Sequence, residues 1–286
     1  MMIKKFYIKI INILLIIIIK LLVFIKNKVR RIRKIEFEYF SDKYRLYTKK
    51  YFFIIFGKDK YISKETYVNG PHDYHLFKKS KTLLNKKIKY LIDVGANIGT
   101  FCIPPTKDRL IEKCIAIEPV EKINDILKIN IILNELNNKI KTYKYVISDK
   151  KNENLSLTLN KNNYGDNKFK ISKNRKKKFT IVKLDFFINY FDLNQLLIKI
   201  DVQGFENKVL MSATKFLNKS VPLIIEFDHN FIKQENSYKI IRLIKNKYNF
   251  FSLLDKKNIE KEKIENFDKI FYKIQKNKTH LNCLIY

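Results

Sequence analysis

Only three cysteines and four histidines occur in this chain of 286 residues. Cys102, Cys114 and Cys283 show no CxxC spacing and no even count, which argues against a disulfide framework. Cys114 and Cys283 lie in apolar, strand-like runs, as buried free thiols do, and a reducing compartment suits them. So few histidines in no ligand-like spacing also argue against a structural zinc site. Acidic residues are scarce as well: 28 Asp and Glu stand against 59 Lys and Arg, a formal net charge of +31. The lysines are scattered along the whole length, and Lys, Asn and Ile are abundant together. Such a charge speaks to solubility and non-specific attraction, and no dedicated nucleic-acid partner is expected from it. No internal repeat is evident.

Glycine is also rare, at six residues, while 46% of the chain is apolar. That is enough for one generous domain with a sizeable core. The stretch Leu91–Thr100 (LIDVGANIGT) organises the rest. Tyr90 to Val94 reads as a buried parallel strand, broken only by Asp93. Gly95-Ala96-Asn97-Ile98-Gly99 then permits a tight turn into a helix, because glycine allows positive φ and close approach to a ligand. Asn97 tolerates such dihedrals next best. Roughly twenty residues on, the apolar run Cys114–Ile117 ends in Glu118-Pro119. A carboxylate at the tip of a second strand is placed to bind the two hydroxyls of a ribose.

The N-terminal segment from Phe6 to Ile25 is nearly all Ile, Leu, Phe or Val. On a helix of about 100° per residue, Lys5, Lys9, Asn12 and Lys20 fall within about 80° of one another. That suits either a helix lying in a membrane interface or a span whose lysines snorkel. No small-residue cleavage site follows, which disfavours a cleaved signal peptide. The basic residues Lys26, Lys28, Arg30, Arg31, Arg33 and Lys34 come next, and they place the downstream domain on the cytoplasmic side if the helix spans. Residues 1–34 are therefore expected to form a membrane anchor, and 35–89 a lead-in segment. Within that lead-in a strand is expected over Tyr51–Phe56 and a helix over Asp73–Leu84. His72 and His75 either line the mouth of a site or are solvated.

Further strands are expected at Lys141–Ile147, Leu196–Ile200, Pro222–Phe227, Phe250–Leu254 and Leu281–Tyr286. Helices are expected at Glu121–Leu136, Asn207–Leu217 and Gln234–Lys247, the last with Tyr238, Ile241 and Ile244 on one face. Residues 155 to 184 read as a hairpin inserted over one end of the sheet, with a turn at Asn162–Asp166 and a basic loop at Lys173–Lys178. Asp93, Glu118, Asp149 and Asp201 all stand at the carboxyl ends of strands, where ligands bind in an open parallel sheet.

The runs IDVGANIG (Ile92–Gly99), EP (Glu118–Pro119), SD (Ser148–Asp149), LD (Leu184–Asp185), KIDVQGFE (Lys199–Glu206) and PLIIEF resemble the FkbM-like S-adenosylmethionine-dependent methyltransferases. The resemblance covers roughly residues 70 to 286. One departure is visible: the family commonly has Glu where this chain has Gln203. The resemblance implies an α/β class I methyltransferase fold, Rossmann-like, over residues 90–286. Its seven-stranded, mostly parallel sheet would have an antiparallel last strand and helices on both faces. It also implies S-adenosyl-L-methionine as cofactor, with Asp93, Gly95, Ala96, Asn97 and Gly99 around its methionine end. Glu118 would hold the ribose hydroxyls, Asp149 would sit near the adenine amine, and Asp201, Glu206 and Glu226 would border the transfer site.

An alcohol acceptor needs a base within hydrogen-bond reach. Asp201 either fills that role or only positions the cofactor, and His229 is either a second base or an ordinary loop residue. Glu206 either borders the acceptor or accepts backbone hydrogen bonds at its helix start. Together with the N-terminal helix, the resemblance implies a membrane-associated O-methyltransferase, with its catalytic domain cytoplasmic, acting on a sugar, glycan or lipid-linked hydroxyl. The alternative is a catalytically degenerate binding or scaffold module. A nucleotide-binding oxidoreductase is disfavoured, because Asn97 stands where the dinucleotide fingerprint wants glycine.

Overall fold

A computed structural model describes residues 2–38, 44–151, 153–160, 163–172, 179–277 and 279–286, with side chains from residue 14 onward except that of Thr48. The side chains of Lys5, Lys9 and Asn12 of the expected polar stripe therefore lie outside the description, as do Asn162 and the basic run Lys173–Lys178 altogether.

Helix α1 (Met2–Glu38) is continuous. Its last turns dock on the rest of the chain: Phe37 is buried with its ring 5.9 Å from that of Tyr67, and Arg33 donates to the Tyr67 carbonyl at 3.5 Å. Between Leu14 and Ile25 the apolar side chains are instead 48–62% exposed. Among the described residues no helix is long and apolar enough to cross a membrane. The expected spanning helix is corrected on this point. A bilayer core needs about twenty apolar residues, and Lys20, Lys26 and Lys28 break the described part of α1 into shorter pieces.

The chain continues as β1 (Tyr44–Thr48), β2 (Phe52–Phe56), α2 (Ile62–Asn69), α3 (Tyr74–Leu84), β3 (Tyr90–Val94), α4 (Ile103–Lys107), β4 (Lys113–Ile117), α5 (Glu121–Leu133) and β5 (Ile140–Tyr143). Next come β6 (Tyr145–Ile147), β7 (Leu155–Thr158), β8 (Lys168–Ile171), β9 (Thr180–Val182), β10 (Leu196–Ile200), α6 (Glu206–Met211), α7 (Thr214–Asn218) and β11 (Leu223–Asp228). Helix α8 (Ser237–Lys247), β12 (Phe250–Leu253), β13 (Glu262–Lys263), α9 (Asp268–Asn277) and β14 (His280–Ile285) complete it.

The main sheet has the order β13-β12-β14-β11-β10-β3-β4-β5. Strands β5, β4, β3, β10 and β11 are parallel neighbours, and β14 inserts antiparallel between β11 and β12. The expected seven strands are thus present with the antiparallel last strand, and the two-residue β13 adds an eighth at the edge. The isoleucine-rich central strands suit this position, because β-branched side chains pack well on a pleated surface buried on both sides.

One face carries Ile92, Val94, Ile198 and Ile200 against α6 to α9, with Phe227, Phe231, Phe267 and Phe271 stacked edge to face at its end. The other carries Leu91, Ala116 and Leu197 against α3, α4 and α5. Phe53, Ile55, Leu76 and Phe77 belong to this second core, so residues 44–84 share one hydrophobic interior with the sheet.

Strand β2 is held to α5 by side-chain amides. Asn134 accepts from Phe52 N (3.1 Å) and donates to Phe52 O (2.6 Å), and Asn130, one turn earlier, does the same for Ile54 (2.6 and 3.3 Å). Two carboxamides four residues apart on a helix face each other along its axis, so they imitate a neighbouring strand and satisfy the edge of the β1–β2 hairpin.

The structure departs from the expected elements in several details. The run Lys141–Ile147 divides, with β5 staying in the main sheet while β6 leaves it to pair with β9. The helix expected over Asn207–Leu217 breaks at Ser212, whose hydroxyl accepts from Leu184 N at 3.1 Å and donates to Val209 O at 2.7 Å. Side chains that offer the backbone such partners compete with the helical ladder. The helix after Gly99 is only five residues long, with Pro104 and Pro105 in its first turn, where missing N–H groups cost least. Tyr238 is 72% exposed, and Ile240 takes the buried position beside Ile241 and Ile244.

Candidate functional site

The chain runs from β3 to β4 to β5 in one direction, then returns to β10 and β11 on the other side of β3. The switch point is therefore the crevice between the carboxyl ends of β3 and β10, where α/β sheets bind ligands. The two ends are locked together: Asp201 N donates to Val94 O at 3.0 Å. Gly95, at φ +83°, packs so closely that a Cβ there would lie 1.8 Å from the Asp201 carbonyl oxygen. Only glycine fits both the dihedral and the gap.

From Gly95 the loop folds over β4, with Gly95 N and Ala96 N both donating to Ile117 O at 2.9 and 3.0 Å. Asn97 takes φ +48°, and its own side chain closes the turn by accepting from Ile98 N at 2.8 Å. Its amide also donates to Tyr164 O at 3.2 Å. Tyr164 lies in the turn between β7 and β8, with its ring 4.2 Å from that of Phe56. The inserted hairpin is thus fastened through Tyr164 to the glycine loop and to β2, and through Phe169, whose ring lies 6.2 Å from that of Phe205, to the segment after β10.

Beneath it lies a cavity of about 670 Å³, within the range of small-molecule sites. Gly95, Ala96, Asn97 and Glu118 line one part. Lys199, Asp201, Gln203, Glu206, Glu226, Asp228 and His229 line another. His72 is at this wall too, whereas His75 is exposed on α3 and outside the lining.

Glu118, buried at the tip of β4, accepts from Asn97 N at 3.1 Å and Val120 N at 2.9 Å, one donor to each oxygen. Burial lifts its carboxyl to about 7 against the pull of those two amides. Each oxygen keeps a free lone pair, a pair of acceptors that suits the two hydroxyls of a ribose.

Asp93 does not line the cavity. It is fully buried, neither oxygen accepts a hydrogen bond, and burial lifts it to about 6 against the opposing effect of Lys199. Lys199, its register partner on β10, stands at the wall instead. The Lys199 ammonium lies 3.1 Å from Asp201 Oδ2, 3.8 Å from Asp93 Oδ1 and 5.5 Å from the Phe101 ring centroid. Burial disfavours its charge, but the two carboxylates outweigh burial and hold the ammonium well above the ordinary lysine range. A lysine inside an otherwise apolar strand, LLIKI, is the sequence signal of this pair.

Asp201 also accepts from Gln203 Nε2 at 2.7 Å, and the same nitrogen lies 2.7 Å from Glu226 Oε2. Burial would raise Asp201, yet Lys199 and Gln203 bring it below the ordinary range. Glu226 moves the other way, raised by burial and by the Asp201 charge. Its second oxygen lies 3.6 Å from His280 Nε2. His229 sits on the same wall, after β11.

Glu206 is 1% exposed, and its Oε1 accepts from Val202 N (3.3 Å) and Gly204 N (3.0 Å). That geometry fits the backbone-clamping alternative for this residue. Asp149 is brought to neither part of the cavity; its carboxylate lies 3.6 Å from Lys208 Nζ, away from the lining. Among the described residues no group of His, Cys, Asp and Glu is arranged to hold a metal ion.

No curated protein matches this sequence. Similar solved structures include M. jannaschii TYW2 in complex with AdoMet, at 12% identity and TM-score 0.42, covering 86% of this chain and 87% of that one. P. horikoshii TYW2 in complex with MeSAdo follows at 13% and 0.40, covering 87% and 73%. The precorrin-6y C5,15-methyltransferase of Geobacter metallireducens stands at 7% and 0.37, covering 73% and 87%. The model of the methyltransferase FkbM domain matches residues 93–252, more than half of the chain. With the motif loops meeting at the switch point and that match across them, the chain belongs to the FkbM methyltransferase domain family, with S-adenosylmethionine as its methyl donor.

Proposed function

We propose that the chain methylates a hydroxyl of a sugar, glycan or lipid-linked acceptor beside a membrane. The observation behind this reading is the wall formed by Asp201, Gln203, Glu226, Asp228 and His229. It is a set of hydrogen-bonding groups suited to an acceptor that carries several hydroxyls. On the donor side Gly95, Ala96 and Asn97 form the backbone cradle, while Gly99 lies outside the lining and lets the loop pack on Ile103 and Leu127, and Asp93 acts from behind through Lys199. Glu118 takes the ribose hydroxyls, and Asp149 is the adenine-side candidate although its carboxylate is turned to Lys208.

The methyl donor supplies an electrophilic carbon on a sulfonium, so the protein contributes alignment and exclusion of water. The acceptor oxygen gains the methyl carbon while the carbon–sulfur bond breaks with its electron pair left on sulfur. The hydroxyl proton passes to Asp201, which Lys199 and Gln203 keep ionised; His229 is the second candidate. Glu226, held protonated, donates to an acceptor oxygen, and Glu206 shapes the turn that carries Gln203.

The full-length chain, given methyl-labelled S-adenosylmethionine and a panel of hexoses, oligosaccharides and polyprenyl-linked sugars, should label a hydroxyl acceptor. Donor binding with no labelled sugar, or with label only on protein or nucleic acid, would refute the assignment. The exposed apolar residues Leu14–Ile25 followed by the basic stretch to Lys34 suit a helix lying on an anionic, cytoplasmic bilayer face. Vesicles containing phosphatidylserine should carry the full chain in flotation, and Leu21→Glu with Phe24→Glu should release it. Equal flotation of both proteins would remove the membrane from the reading.

A further inference from the structure

Gln203 is the one member of a row of polar groups that does not titrate. Lys199 Nζ touches Asp201 Oδ2, Gln203 Nε2 touches Asp201 Oδ1 and Glu226 Oε2, and Glu226 Oε1 faces His280. A carboxamide nitrogen has two hydrogens, and here the geometry directs one to each carboxyl group at 2.7 Å. The backbone is shaped to hold it there. Gln203 has φ +53°, a region that costs an L-residue energy, and Gly204 follows at +94°. Glu206 fixes this turn by accepting from the amides on either side of Gln203, and Gln234 Nε2 donates to Gly204 O at 3.2 Å.

We infer that Gln203 is a positioning residue: its amide ties Asp201 and Glu226 into one unit that offers the acceptor a hydroxyl-binding oxygen and a proton donor held at fixed spacing. The inference rests on the hydroxyl acceptor proposed above. Two buried carboxyl groups so close share a proton, because like charges disfavour double ionisation. Lys199 determines which group keeps it: of these two carboxyl groups the ammonium touches only Asp201, so the charge stays there and the proton stays on Glu226, with the amide holding the two at fixed spacing. The groups facing the unit are Lys199 and Asp93 from the strands, Asp228 at the end of β11 and His229 after it, Glu206 from α6, His280 at the start of β14, and His72 and Asp73 ahead of α3. A glutamate at 203 could bridge only while it shared a proton as well. It would therefore make the unit dependent on pH near neutrality, which the carboxamide does not.

The test uses the full chain, Gln203→Glu and Gln203→Met. In 15N-labelled protein, the side-chain amide signal lost in Gln203→Met identifies Gln203. Both of its protons should be displaced from the shift of an exposed glutamine and should move when Asp201→Asn is introduced. An undisplaced signal that ignores Asp201→Asn would overturn the bridge, and this arm needs no acceptor. With the sugar acceptor labelled most strongly by the wild type, all three proteins should bind S-adenosylhomocysteine within about threefold of one another. Gln203→Met should lose about tenfold or more in kcat at every pH. Gln203→Glu should approach wild-type kcat near about pH 6 and fall about tenfold by about pH 9, as three carboxyl groups lose their shared proton. Wild-type pH profiles in both variants would overturn the positioning role. Failure to label any sugar refutes the proposed acceptor, while the amide signals still decide the bridge.

Discussion

Lys199 and Asp201 form an ion pair of 3.1 Å at the end of β10, two residues apart and on the wall of the cavity. The same ammonium is the nearest cation to Asp93, on the neighbouring strand, at 3.8 Å. One lysine therefore compensates two carboxylates at the switch point. Removing one partner of a buried pair leaves an uncompensated charge, a loss of about 3–5 kcal/mol. Lys199→Met should lower stability by that order in urea unfolding and weaken S-adenosylmethionine binding in calorimetry. Stability and affinity near wild type would show that the two carboxylates need no counter-charge.

Gly95→Ala should be costly beyond its strained dihedral, because the new Cβ would meet backbone, 1.8 Å from the Asp201 carbonyl oxygen. We expect a loss of roughly 2–4 kcal/mol in stability. Donor affinity should drop at least about tenfold, since the loop must leave β10. Unchanged affinity by calorimetry would mean that the loop is not part of the donor site.

Asn130 and Asn134 make equivalent contacts with β2, but Asn130 alone also donates to Ile98 O, at 2.9 Å, in the glycine loop. Each alanine variant should lose about 2–4 kcal/mol in thermal or urea unfolding, since buried backbone groups of β2 lose their partners. Only Asn130→Ala should also weaken donor binding. Equal affinities for the two variants would separate the lead-in hairpin from the site.

Glu206 provides a pH test of the turn. Burial lifts its carboxyl from the ordinary value of 4.5 to about 7. Between those values the folded chain holds a proton that the unfolded chain has released. Stability from this group is thus fully present below the lower value and is lost as pH rises through the upper one. Glu206→Gln, which keeps an oxygen for the Val202 and Gly204 amides, should remove that share of the slope, on the order of 3 kcal/mol. Glu118 contributes a fall in the same window, so the variant should retain part of the slope. Melting curves at stepped pH that match the wild type in slope would show Glu206 to be ionised throughout.

Local pattern made the core strands readable. Tyr90–Val94 and Leu196–Ile200 are strands as expected, because each is a short run of β-branched and apolar residues bounded by turn formers. The division of Lys141–Ile147 was not readable, since β5 and β6 have the same composition and differ only in partner. Strand β1 and helix α2 carry no such pattern: Tyr44 and Leu46 of β1 stay 45% and 50% exposed, and α2 takes its cover from α1, well before it in the chain.

The sequence by itself determined that carboxylates and glycines stand at the ends of parallel strands, and hence where the cavity opens, because period and turn chemistry are local properties. It also determined the family, through motifs whose residues are near neighbours in the chain. Only the tertiary structure decided what each side chain does there. It buried Asp93 behind Lys199, turned Asp149 to Lys208 and placed Gln203 between Asp201 and Glu226. Burial and charge at a residue depend on groups that the chain brings from far along its length, and no spacing within one motif encodes them.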